Sequence, residues 1–107
     1  MNRASMRSPL VRRAIEAINQ GNLDDFMALF APDATVVDVS TYSGHEALRA
    51  WAQRETFNVQ VRFHVAREKN EEGTIVEGNV QSAGGYSGPA TFSFTLDGDR
   101  IQRLVGE

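Results

Sequence analysis

The spacing of apolar residues changes along this chain, and the change constrains the fold more than any single motif does. Up to Trp51 they mostly recur every third or fourth position, and from Val59 onward every second. The first spacing belongs to a helix with one buried face, the second to a half-buried strand. Leu10, Val11, Ala14, Ile15, Ala17 and Ile18 form the stripe of a first helix. Ser8-Pro9 opens it as N-cap and first-turn proline, and Gly21 closes it. Asn22 caps a second helix carrying Leu23, Phe26, Met27, Leu29 and Phe30, which Pro32 stops. ATVVDV at 34–39 reads as a strand. Ser43-Gly44-His45-Glu46 fits a capping box, so a third helix starts near Gly44 with Ala47, Leu48 and Trp51 inward. Residues 53–58 read as a connector.

Four strands follow. Val59, Val61, Phe63 and Val65 alternate with polar neighbours, Thr74 to Ser82 continues the pattern, and Ala90, Phe92, Phe94 and Leu96 alternate again. Asp97-Gly98 marks a tight hairpin into a last strand from Arg100 to Val105. Helices followed by strands indicate an α+β fold with the helices on one face of a curved sheet. At 107 residues there is room for a single domain, expected over 8–107 with a flexible tail at 1–7. A sheet bent around helices forms a cone, and a cone can keep a cavity at one end.

Composition narrows the chemistry. Cysteine is absent, which removes disulfides, zinc–thiolate sites and thiol nucleophiles. His45 and His64 are too few for a histidine-rich metal site, so neither metal nor cofactor is expected. The net charge is −3 and the basic residues are scattered, which argues against nucleic acid as a partner. No apolar run approaches the roughly 20 residues of a membrane span, and cytoplasmic is the expected location. GGYSG joins two strands and lacks the spacing of a phosphate-binding loop.

Asp38 is the candidate catalytic residue. Period two puts Val36, Asp38 and Ser40 on one face, and an inward carboxylate among apolar groups is placed for proton transfer. The candidate binding wall is Phe26, Phe30, Trp51, Phe63, Ala90 and Phe92, with Tyr42 and Tyr86 at the mouth. Arg54 either pairs locally with Glu55 or folds over the cavity, to hold an anionic ligand or to pair with Asp38. The expected partner is a small apolar molecule. The outward set Arg62, His64, Glu77, Asn79, Gln81, Thr91, Ser93 and Thr95 is the expected homodimer face.

The segments AINQGNLDDFMALFAPDATVVD, SGHEALRAW and FSFTLDGDRIQRLV, in this order, resemble the nuclear transport factor 2-like superfamily in its SnoaL-like branch. The resemblance implies a cone-shaped antiparallel or mixed sheet packed against three N-terminal helices, the cystatin-like architecture. It also implies a range of activities, among them ketosteroid isomerase, polyketide cyclases and dehydratases, so fold alone does not name the reaction. Similarity to the isomerase puts a general-base aspartate at Asp38. It puts Ala14 and Ala90 where the isomerase has its two oxyanion donors, and neither alanine can donate. Two functions follow as expectations: proton transfer by Asp38 of the isomerase, cyclase or dehydratase type, or a non-catalytic ligand-binding or dimeric module.

Overall fold

The computed structural model describes residues 6–107. The chain runs α1 (Pro9–Gln20), α2 (Leu23–Ala28), β1 (Phe30–Asp38), β2 (Ser40–Ser43), α3 (His45–Ala52), β3 (Arg62–Glu68), β4 (Ile75–Gln81), β5 (Gly88–Asp97) and β6 (Arg100–Gly106). A π-helical turn, Gln53–Phe57, extends α3. The six strands form one sheet in the order β2-β1-β6-β5-β4-β3. Every neighbouring pair is antiparallel except β1 and β6, which run parallel. This is the expected α+β architecture, three helices against one mixed six-stranded sheet.

The helix ends are built as the sequence implies. The Ser8 hydroxyl accepts from the Val11 amide, Pro9 opens the first turn and Gly21 closes it at φ 70°. Asn22 accepts from the Asp25 amide at 3.1 Å. Two local expectations fail. Ser43 does not cap α3: it lies in β2, its hydroxyl 3.4 Å from that of Thr35, and Gly44 is the N-cap without a side-chain bond. Pro32 does not end α2. The helix stops at Ala28, and Leu29 already accepts a hydrogen bond from the Ile101 amide, so strand pairing takes over before the proline. The 34–39 strand is longer than expected and folds back on itself. Val39, at φ 65°, turns β1 into β2, with Asp38 opposite Ser40 and Val36 opposite Tyr42.

Residues 1–5 of the expected tail lie outside the described residues. Met6 is buried, and the Arg7 amide donates to Glu68 at 2.9 Å, so the chain is anchored from residue 6 onward. The 53–58 connector is the π turn, which carries Phe57 onto Phe26 with ring centres 5.5 Å apart. Val59 stays outside β3 because Gln60, at φ 55°, breaks the extended backbone before Arg62.

The core lies between the helices and the concave face of the sheet. Val11, Ala14 and Ile15 of α1, Phe26 of α2 and Leu48 of α3 are buried with Val36, Phe63, Val76, Phe94, Ile101 and Leu104 of the sheet. Each large apolar side chain so buried contributes about 1.5–3 kcal/mol. Gly78 sits where β3 bulges between Val65 and Arg67, and a side chain there would collide with the His64 carbonyl. On the opposite, convex face, Val37, Val105, Ser93 and Ile75 form an in-register row across four strands.

Candidate functional site

Asp38 ends β1 on the same face as buried Val36, so its carboxylate points into the concave side. It is half-buried and accepts a hydrogen bond from the Trp51 indole, Nε1 to Oδ2 at 3.0 Å. Trp51 reaches it from α3 while its ring stays in the core. Among the described residues no hydrogen bond reaches the second oxygen, Oδ1.

A second contact lies beside the first. Arg54, three residues after Trp51 and within the π turn, donates Nη2 to the Tyr42 hydroxyl at 3.2 Å. Its guanidinium lies 5.5 Å from the Tyr42 ring centre. Tyr42 faces Val36 across the hairpin and therefore shares the concave face with Asp38. Arg54 also pairs with Glu55 at 2.8 Å. That bond, and then Tyr42, raise the guanidinium pKa further above any working pH. Of the two expectations for Arg54, the structure has the local pair, not an approach to Asp38.

The aromatic wall divides. Phe26, Phe30 and Phe63 are 0%, 2% and 1% exposed and belong to the packed core, not to an open surface. Phe26 tilts against Phe30 at 4.9 Å. Phe92 is half-buried, packs edge-on against Phe63 at 4.9 Å, and lies across from Gly106. Ala90 is half-buried opposite Gly78 on the same face. Tyr86, 61% exposed, turns back on its own loop and donates its phenolic proton to the Pro89 carbonyl at 2.6 Å, so it offers no free donor to the mouth. His64 is exposed. His45 is exposed too, with Nε2 3.0 Å from the Phe30 carbonyl oxygen.

The cavity expected beside Asp38 is neither of two clefts at the helices, whose walls do not include it. The larger, about 440 Å³, runs between α1 and β3, lined by Ile15, Asn19, Phe63 and Val65 among others. The smaller lies between α1 and α2. The larger cleft has the volume for a ligand but no carboxylate on its wall. Beside Asp38 the structure has the Trp51 indole, which donates to the carboxylate from α3.

Periodicity selects Asp38 and Trp51, and position beside the third helix selects Tyr42 and Arg54; the sequence pairs neither Trp51 with Asp38 nor Arg54 with Tyr42. The signal was present. Trp51 and Arg54 are three residues apart on one helix face, which is the spacing that puts two donors side by side.

Comparison with known proteins agrees with this architecture. No protein of curated function matches the chain. A candidate polyketide cyclase from Sinorhizobium meliloti is similar over 100% of both chains at 23% identity, with a TM-score of 0.83. Another from Xanthomonas campestris is similar at 23% identity and a TM-score of 0.76, over 98% of this chain and 91% of that one. A hypothetical protein with a ketosteroid isomerase-like fold from Catenulispora acidiphila, in complex with trimethylamine, is similar at 21% identity and a TM-score of 0.71, over 92% of this chain and 84% of that one. The SnoaL-like domain model matches residues 11–104, from the first core residue after Leu10 to the last buried position of β6. The chain therefore belongs to the SnoaL-like domain family.

Proposed function

We propose that this chain binds a small apolar carbonyl compound at the Asp38 end of the cone and moves a proton on it, as in isomerisation, cyclisation or dehydration. One observation carries the reading: a half-buried, inward carboxylate with one oxygen held by Trp51 and the other without a protein donor among the described residues. A base needs one oxygen within hydrogen-bond reach of the substrate. The Trp51 bond fixes the carboxylate's orientation, which is what proton transfer at a defined atom requires. Phe92 and Ala90 supply apolar surface on the same face. The test is a screen of small ketones by melting temperature and by turnover. Asp38→Asn should keep the fold and remove turnover, and full activity of that variant on a turned-over ketone would refute the assignment.

The second reading is a dimeric, non-catalytic module. It is favoured by the convex row of Val37, Val105 and Ile75, half-buried apolar residues on a face that otherwise carries Thr95, Glu77 and Asn79. A second copy of the chain is the partner that fits an apolar row on an otherwise polar sheet. Pairing through this face and chemistry on the opposite one are compatible.

A further inference from the structure

We propose that the cleft between α1 and the edge strand β3 is a second ligand site, which takes a carboxylate with an unbranched apolar tail and holds its head on Arg62. It does not depend on the reading of Asp38. Three strands, β6, β5 and β4, separate β3 from β1 and its Asp38.

β3 is the last strand of the sheet, with β4 on one side only. α1 runs along its other edge, and two tethers fix the alignment. Near the end of α1 the Asn19 carboxamide donates Nδ2 to the Phe63 carbonyl at 2.9 Å and accepts from the Phe63 amide at 2.7 Å, as a neighbouring strand would. Just before α1 begins, the Arg7 amide donates to Glu68 at 2.9 Å. Along this seam lies the cleft of about 440 Å³, inside the range of about 300–1,000 Å³ that small-molecule sites occupy. Buried Met6, Ile15 and Phe63 and half-buried Val65 make its apolar lining.

The charge on the lining has one sign. Arg62 lines the cleft and no acidic residue does. Its Nη1 donates to the Val61 carbonyl at 2.9 Å and to the Ile18 carbonyl at 3.4 Å, which ties the guanidinium to the end of α1. Both acceptors are neutral, so the charge is not compensated there. Among the described residues Nε and Nη2 have no acceptor. Those two N–H groups form one edge of the guanidinium, the parallel pair that grips a carboxylate through two hydrogen bonds. The protein has therefore spent the nitrogen that orients the group and left the fork free. Arg12 adds a second observation. It shares a helical stripe with Ile15 and Asn19, three and seven positions on, and its buried Nε has no hydrogen-bond partner among the described residues. A buried donor left unmade is costly, and an anion nearby is the ligand class that such a group favours. Asn19 has both polar ends spent on Phe63, and His64 is exposed. The lining thus offers one fork and a hydrocarbon wall, which suits a monoanion with a tail.

The experiment compares octanoate with octan-1-ol, which has the same tail and no charge. Binding is followed by NMR on the Asn19 side-chain amide, with the Trp51 indole, the only one in the chain, as the control at the Asp38 site. Octanoate should move the Asn19 resonances and leave Trp51 in place. It should bind about tenfold or more tightly than octanol, the range for a charged hydrogen-bonded pair. Affinity should rise about two- to fourfold for each methylene added between hexanoate and octanoate. Arg62→Gln, which still reaches the Ile18 carbonyl, should bring octanoate and octanol to parity with the octanol affinity kept. Arg62→Lys should restore part of the preference. Val65→Trp, which fills the cleft, should remove both ligands. Octanoate that moves Trp51 and not Asn19, that binds no better than octanol, or that binds Val65→Trp as well as the wild type would overturn the assignment. The reading of Asp38 is tested by ketone turnover and is untouched by any of these results.

Discussion

At the scale of single residues, Asp38 and Val39 are adjacent and do different work. Asp38 is held by the Trp51 indole. Trp51→Phe keeps most of the packing and removes the donor to a carboxylate, an interaction worth about 1.5–3 kcal/mol. Denaturant unfolding of that variant should show a loss in this range, with an unchanged slope. Val39 is fully exposed yet sits at φ 65°, where a β-branched residue is strained by roughly 1–2 kcal/mol. Val39→Gly loses no packing and should raise the unfolding midpoint. A lower midpoint would mean that the side chain is supported in a way its exposure does not show. The strain also explains a misreading. Alternation along 36–40 selects Asp38 correctly, but nothing in Val37-Asp38-Val39 signals that the chain reverses there, because valine is the least expected residue at a positive φ. Likewise Ser43-Gly44-His45-Glu46 has the letters of a capping box. The pairing of Ser43 with Thr35 across the hairpin outcompeted the cap.

At the scale of elements, helices with local signals were the most legible and the strand edges the least. Ser8-Pro9 and Gly21 bracket α1 in sequence and in structure, since caps depend on neighbours only a few residues away. The π turn after α3 and the bulge in β3 depend on tertiary partners, Phe26 and β4 respectively, and no local pattern announces them. The bulge makes Gly78 indispensable. Gly78→Ala should destabilise by about 1–3 kcal/mol, the range for overpacking, although the residue is an ordinary strand position by sequence. The same two strands carry a surface cluster. Arg67 donates to Glu77 at 2.6 Å with Lys69 beside it, and together they hold the Glu77 carboxyl below its usual range. A carboxyl with a lowered folded pKa stabilises above its unfolded value and loses that contribution as pH falls through the folded one. Acid titration of stability should therefore separate the wild type from Glu77→Gln near neutrality and bring them together in strong acid. The effect should be small, because the cluster is exposed to solvent.

At the scale of the whole molecule, the fold was legible from the change of apolar spacing. The site was legible only residue by residue. Trp51 meets Asp38 from α3, and period-two reasoning places side chains on a face without saying which of them meet. The convex row predicts a dimer: light scattering after size exclusion should give twice the 11.8 kDa chain mass. Val105→Asp, at the centre of the row, should return a monomer with its fold intact. A wild-type monomer would remove the second reading. The central claim, that Asp38 moves protons on an apolar carbonyl compound, has a test that needs no natural substrate. Deuterium incorporation at the α-carbon of 2-tetralone in D₂O, followed by NMR, reads the proton transfer itself. The account predicts exchange well above the buffer rate with the wild type and a return to the buffer rate with Asp38→Asn. Exchange at the buffer rate with the wild type, or equal exchange with both proteins, would contradict it.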